Sequence, residues 1–177
     1  KTAIYKNKPI EIGKATVNGS SGTVAYTYYT DAGCTKKTTQ KANKAAGTGM
    51  APQNAGTYYV VASVAADSQY LAAASSPAKL TIQKAASKIK LKKQTSKYTG
   101  KPVSIKKASV SGSTGKVTYT YYKDKKCKIK TTKKNAGAKK KGTAPKKAGT
   151  YYVKASVKAD KNHKAAASKA VKLIIKD

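Results

Sequence analysis

The sequence predicts an all-β chain made of two copies of one small domain, and three observations indicate this fold class. A shift of 93 positions aligns residues 1–84 with residues 94–177 without a gap, and 44 of the 84 pairs are identical. Apolar and polar residues alternate with a period of two along several short segments. Turn-forming residues separate these segments, and no long segment has the apolar spacing of a helix.

The duplication divides the chain into a first copy, residues 1–84, and a second copy, residues 85–177. It is carried by blocks such as Tyr26–Tyr29, which recurs at Tyr119–Tyr122. Residues 85–93 have no counterpart ahead of Lys1. We therefore expect the first copy to lack the first strand that the second copy has.

The clearest strand is the segment 150–158. One predicted face carries Tyr151, Val153, Ala155 and Val157. The other face carries Thr150, Tyr152, Lys154, Ser156 and Lys158. A strand with one apolar face and one polar face favours antiparallel pairing, because parallel strands are usually apolar on both faces. The same pattern predicts strands at 88–92, 116–121 and 172–176, and turns are expected at 30–33 and 123–126.

Each copy then holds six or seven short strands, which is typical of a β-sandwich. Tyr58 and Tyr151 stand two residues before Val60 and Val153, as in the tyrosine corner of immunoglobulin domains, where Cys takes the place of the Val. The expected fold is two tandem immunoglobulin-like antiparallel β-sandwiches. Neither copy has the Trp or the Cys pair of an antibody domain, and Tyr28 and Tyr121 are the candidates to take the place of the Trp.

The order of these motifs resembles the tandem immunoglobulin-like repeats of very large, adhesin-like surface proteins of Gram-positive gut bacteria of the Firmicutes type. The residues that carry the resemblance are Tyr98–Val103, Val117–Tyr122, Asp124 with Cys127, Gly149–Val153 and Leu173–Ile175. The resemblance implies an extracellular spacer or stalk, secreted or on the cell surface, without enzymatic activity.

Charge is the strongest functional signal. The chain has 38 Lys, no Arg and 6 acidic residues, for a net charge of +32. The first copy holds 10 of the Lys and the second copy 28, with three acidic residues in each. Such an excess exceeds what solubility requires and favours binding to a polyanion. The alternative is that exposed Lys keeps sheet edges from aggregating.

The second copy is therefore the candidate anchor, and an anionic cell-wall polymer such as teichoic acid is the first choice of partner. Anionic host glycans are the alternative. Sequence-specific binding to nucleic acid is not expected, because Lys lacks the bidentate contacts of Arg. The candidate polyanion-binding residues are Lys88, Lys90, Lys125, Lys126, Lys128, Lys139, Lys140, Lys141, Lys154 and Lys158.

Cys34 and Cys127 occupy equivalent positions in the two copies. A bond between them within one chain would span about 30 to 40 Å, whereas a disulfide allows about 7 Å between Cα atoms. Because Cys127 and Ile129 would share a strand face, we expect a buried free thiol behind the turn. Intermolecular pairing and a reactive thiol are the alternatives.

No catalytic, metal or cofactor site is expected. His163, the only histidine, aligns with Tyr70, so we expect a surface or packing role. Asp31 and Asp124 recur as a pair, but calcium needs about six to eight oxygen ligands and no acidic cluster supplies them. We expect turn roles for these carboxylates. No apolar run is long enough for membrane insertion.

The strand that the first copy lacks suggests a second function. If residues 85–93 form an edge strand of the second copy, the first copy exposes the edge where an equivalent strand would pair. A self-assembling filament subunit built by strand addition is the alternative to the polyanion-binding stalk.

Overall fold

The computed structural model describes residues 1–39, 49–132 and 142–177. The chain forms two compact units, Lys1–Ala85 (unit 1) and Ala86–Asp177 (unit 2). The boundary lies one residue after the end of the first sequence copy. Every regular element in the described residues is a β-strand, so the predicted all-β fold is confirmed.

The described residues of unit 1 form one sheet with the strand order β1-β5-β3-β2, and the short strand β4 also pairs with β3. The long strand β3 is the centre of the sheet, with β2 and β5 antiparallel to it on its two sides. The strands are β1 (Thr2–Ile4), β2 (Val24–Tyr29), β3 (Gly56–Val64), β4 (Ala73–Ala74) and β5 (Ala78–Gln83).

Unit 2 repeats this sheet and adds a second, two-stranded sheet. The main sheet has the order β9-β10-β12-β7, with β11 also paired to β10, and β6 pairs with β8 to form the second sheet. The strands are β6 (Lys88–Lys90), β7 (Gln94–Lys97), β8 (Ser109–Ser111), β9 (Val117–Tyr122), β10 (Gly149–Val157), β11 (Ala166–Ala167) and β12 (Val171–Lys176).

The alternation of β10 fixes which face of the sheet is covered. Val153, Ala155 and Val157 are buried, while Lys154 and Ser156 between them are exposed. Ile89 of β6 packs on Ala155 and Val157, so the second sheet lies over this end of the main sheet. Unit 2 is therefore a two-layer structure with its core between the sheets.

The rest of each core lies under irregular chain. In unit 2, Ile105 and Tyr121 pack with Val153, Leu173 and Ile175. In unit 1, the corresponding cluster is Tyr28, Val60, Leu80 and Ile82.

The prediction of antiparallel pairing is wrong for one edge strand in each unit. β1 runs parallel to β5, and β7 runs parallel to β12. These partners are distant in sequence, so no hairpin links them, and the chain is free to enter the edge in either direction. Within the described residues, unit 2 has seven strands and unit 1 has five, because unit 1 has no counterpart of the β6 and β8 pair.

Candidate anion-binding surface

The tyrosines that recur in the two units hold irregular segments of the chain against the sheets. The Tyr58 hydroxyl donates to the Asn54 carbonyl oxygen at 2.9 Å, and the Tyr151 hydroxyl donates to that of Lys147 at 3.0 Å. This is the hydrogen bond of a tyrosine corner. Burial raises the pKa of Tyr58.

Tyr28 and Tyr121 fill the centres of the two cores and also serve as hydrogen-bond acceptors. Each is at most 5% exposed. The Tyr28 hydroxyl accepts the backbone N–H of Ile12 at 3.1 Å, and that of Tyr121 accepts the N–H of Ile105 at 3.0 Å. Burial, more than any other cause, raises the pKa of Tyr28.

The aspartates close turns. The Asp124 carboxylate accepts the backbone N–H groups of Lys128 and Ile129, and these bonds lower its pKa. Asp160 accepts the N–H groups of Thr114 and Asn162 and lies 3.1 Å from Nδ1 of His163. The bond from Thr114 is the largest cause of the lowered pKa of Asp160. Within the described residues, no group of three His, Cys or acidic side chains has the arrangement of a metal site.

The two cysteines are free thiols, but the prediction that they are buried behind the turn is wrong. Both are partly exposed. Each occupies a turn position with positive φ, 53° for Cys34 and 56° for Cys127, and Ile129 is 52% exposed rather than on a buried strand face. The turn takes the place of the strand that the alternation suggested. Partial desolvation raises the pKa of Cys127, and the nearby charge of Lys154 offsets part of the rise.

Seven of the ten candidate lysines lie in the described residues, and all seven are exposed. Lys139, Lys140 and Lys141 lie outside the described residues. The seven do not form one cluster. Lys125, Lys126 and Lys128 lie on the turn after β9, whereas Lys158 follows the far end of β10, about 17 Å along the strand. Lys154 is on the outer face of β10, and Lys88 and Lys90 are on β6.

Several lysines of unit 2 line a groove of about 530 Å³, which we call the lysine groove. The five lysines that line it are Lys90, Lys92, Lys93, Lys106 and Lys107. The other lining residues are Gln94, Thr95, Ser96 and Ser109, so hydroxyl and amide groups accompany the ammonium groups and no carboxylate is present.

The groove exists because the β6 and β8 pair brings two separate lysine runs together. Lys90 lies opposite Ser109 in the register of this pair. Gln94 then ties the two walls: its Oε1 accepts the backbone N–H of Lys106 at 2.7 Å, and its Nε2 donates to the Ser104 carbonyl oxygen at 3.3 Å. The lysines therefore project from a braced backbone.

Four of these five lysines were missed in the sequence. Lys92, Lys93, Lys106 and Lys107 stand in visible pairs, but nothing in the sequence shows that residues 92–93 and 106–107 meet. The comparison of the two copies gives one indication of the groove: Lys106 of the second copy aligns with Gly13 of the first, so a lysine is present at this position only in the second copy.

No carboxylate is among the residues that line the lysine groove. Elsewhere in unit 2, His163 pairs with Asp160, with 3.1 Å between Nδ1 and Oδ1. Two ammonium groups about 7 Å apart, the spacing of alternate strand residues, repel by about 0.6 kcal/mol in water. A bound anion would relieve this repulsion, because its charge is opposite to that of the ammonium groups.

No helix in the described residues is long and apolar enough to cross a membrane. No family model matches the chain, and no curated protein matches it. Among solved structures, the chain is similar to the crystal structure of Drosophila N-cadherin EC1-4, with 12% identity and a TM-score of 0.33. That similarity covers 99% of this chain and 47% of the cadherin chain, so this chain spans less than half of the cadherin's length. A likeness at this level assigns neither family nor function.

Proposed function

We propose that this chain is a non-enzymatic repeat module of an extracellular bacterial protein, and that unit 2 anchors it electrostatically to an anionic polymer of the cell envelope. Unit 1 is the spacer. The observation that carries the proposal is the lysine groove, which is lined by five lysines and by no acidic residue.

Two further features support a polyanion partner. The described lysines of unit 2 are all exposed, so their charges are available to a partner at little desolvation cost. Lys is also the only strongly basic residue in the chain. As a mobile point charge it suits a flexible polymer of repeated phosphates better than a ligand that needs bidentate recognition.

Teichoic acid is the proposed partner because it combines regularly spaced phosphates with hydroxyl groups. The ammonium groups of the lysine groove bind the phosphates, and the serine and threonine hydroxyls that line it bind neutral parts of the polymer. Both kinds of group are on the same walls. Phosphate contacts of this kind weaken steeply as salt rises.

The experiment is co-sedimentation of the full chain with purified Gram-positive cell walls, before and after removal of teichoic acid. Two variants carry the same loss of four charges. The groove variant replaces Lys92, Lys93, Lys106 and Lys107 with Gln, and the turn variant replaces Lys123, Lys125, Lys126 and Lys128 with Gln.

We expect binding to intact walls, loss of binding after teichoic acid is removed, and much weaker binding of the groove variant than of the turn variant. Beads carrying a sulfated glycan, used in parallel, test the host-glycan alternative. Binding to stripped walls as strong as to intact walls would contradict the proposed partner. Equal losses for the two variants would contradict the proposed site.

A further inference from the structure

Unit 1 contains an open apolar groove at the place where strand β6 lies in unit 2. It consists of two adjoining pockets of about 230 and 240 Å³ that share Ala15, Ala62 and Ser75. A cavity of about 150 Å³ is already enough to hold a benzene ring. Each pocket therefore has room for a branched aliphatic side chain.

The first pocket corresponds to the site of Ile89. In unit 2, Ile89 belongs to a core cluster, and six other residues that form this cluster or pack against it have counterparts in unit 1 that line this pocket. These counterparts are Ala15, Val17, Val24, Ala62, Val64 and Ala73, which align with Ala108, Val110, Val117, Ala155, Val157 and Ala166.

The second pocket corresponds to the site of Leu91. In unit 2, Leu91 packs on the cluster that contains Ile105 and Val153. Their counterparts, Ile12 and Val60, line the second pocket. Residues 89 and 91 are about 7 Å apart along an extended chain, so one strand fills both sites.

The floor of the groove is more exposed in unit 1 than the equivalent surface is in unit 2, as expected where no strand covers it. Ala155 is fully buried beneath Ile89, whereas Ala62 is only partly buried. Ser168 is 8% exposed, whereas its counterpart Ser75 is exposed. Unit 1 thus keeps the apolar floor of a second layer without the strand that covers it.

The rim of the groove also has a backbone edge. In unit 2, β8 pairs antiparallel with β6, whereas the equivalent residues 16–18 of unit 1 pair with no strand in the described part of the chain. Ser87 further fastens the segment in unit 2: its hydroxyl donates to the Lys164 carbonyl oxygen at 2.6 Å and accepts the Ser113 N–H at 3.1 Å. An unpaired edge beside an apolar floor is the usual receptor for strand addition.

We propose that unit 1 binds an extended segment with the pattern of β6: a hydroxyl residue, then two branched aliphatic side chains two positions apart with lysine between them. The segment pairs antiparallel with residues 16–18 and places its aliphatic side chains in the two pockets. In this chain the pattern is that of residues 87–91, so the peptide 85–93 is the probe for the site.

This binding is distinguishable from the electrostatic anchoring proposed above. The peptide of residues 85–93 carries four lysines, and the chain carries a net charge of +32, so charge opposes their association. Binding must then come from strand pairing and apolar burial. It strengthens as salt rises, whereas polyanion binding weakens.

The test is titration of the full chain into the fluorescently labelled peptide 85–93, followed by anisotropy at two salt concentrations. We expect saturable one-to-one binding that is tighter at high salt. A peptide with Ile89→Asp keeps the length and the lysines but loses one aliphatic anchor, so it should bind at least about tenfold more weakly. Equal binding of both peptides would overturn the proposal.

A matched control uses the chain with the sequence of residues 85–93 fused directly ahead of Lys1. Since Lys1 aligns with Gln94, this fusion repeats the connection found in unit 2. The extended chain should not bind the peptide, and unit 1 should become more stable to heat. Undiminished peptide binding by the extended chain would overturn the proposal.

Hydrogen exchange locates the peptide. We expect it to protect the amides of residues 16–18 and 73–75 in unit 1. Protection that falls instead on residues 109–111 of unit 2 would mean that the peptide exchanges with β6, and would overturn the proposal. Dimers that form at high concentration and dissociate when the peptide is added would support it.

Discussion

Ile89 is the side chain whose truncation tests the two-layer structure of unit 2 most sharply. It is 8% exposed and packs against Ala155 and Val157. Ile89→Ala removes three carbon groups, each worth about 0.8 kcal/mol when buried. Because β6 lies at an edge, the site is partly able to collapse, which limits the added cost of the cavity. We expect the free energy of unfolding of unit 2 to fall by about 2–3 kcal/mol.

The assay is differential scanning calorimetry of the full chain. For a domain of this size, each kcal/mol shifts the Tm by about 4–8 °C, so the transition of unit 2 should fall by about 10–20 °C. The transition of unit 1 should not move. Ile4→Ala is the control, because Ile4 is 55% exposed in β1 and its truncation should change the free energy of unfolding by less than about 0.5 kcal/mol. A shift below about 3 °C for Ile89→Ala would refute the packing of β6 on β10.

Three further predictions concern single side chains. Tyr151→Phe removes the hydrogen bond to the Lys147 carbonyl and should destabilise unit 2 by about 1 kcal/mol in urea unfolding, whereas Tyr152→Phe should have little effect. Backbone hydrogen bonds lower the pKa of Asp160 below its unfolded value of about 3.9, so its carboxylate stabilises the fold above about pH 4 and this contribution is lost as the pH falls. Stability measured from pH 6 to 2 should therefore decline less steeply in Asp160→Asn. Because desolvation raises the pKa of Cys127, its thiol in the Cys34→Ser chain should react with a disulfide reagent more slowly at pH 7.5 than an unstructured cysteine peptide does; a faster reaction would contradict its placement.

The strands that follow the two-residue alternation were predictable from the sequence. Along β10, Val153, Ala155 and Val157 are buried and Lys154 is exposed, as the pattern requires. The parallel pairing of β7 with β12 was not predictable, because alternation reports which face is covered and not the direction of the neighbouring strand.

The turn at Cys127 shows a different limit. Cys127 and Ile129 have the spacing of one strand face, but the Asp124 carboxylate accepts the N–H groups of Lys128 and Ile129 and turns the chain instead. Local side-chain hydrogen bonds therefore override a short apolar alternation. The surplus of charge in the second copy was visible in the sequence, whereas the lysine groove depends on the register of Lys90 opposite Ser109.

The most direct test of the proposed function is the salt dependence of binding to purified teichoic acid, measured for the full chain, the groove variant and the turn variant. For single-stranded nucleic acid, each neutralised phosphate contributes about 0.7 to the slope of log Kd against log salt. If the same value holds for teichoic acid, the loss of four contacts should reduce this slope by about 2.8. We predict this reduction for the groove variant and a much smaller one for the turn variant. Equal slopes for the two variants would contradict a localised anion site in unit 2.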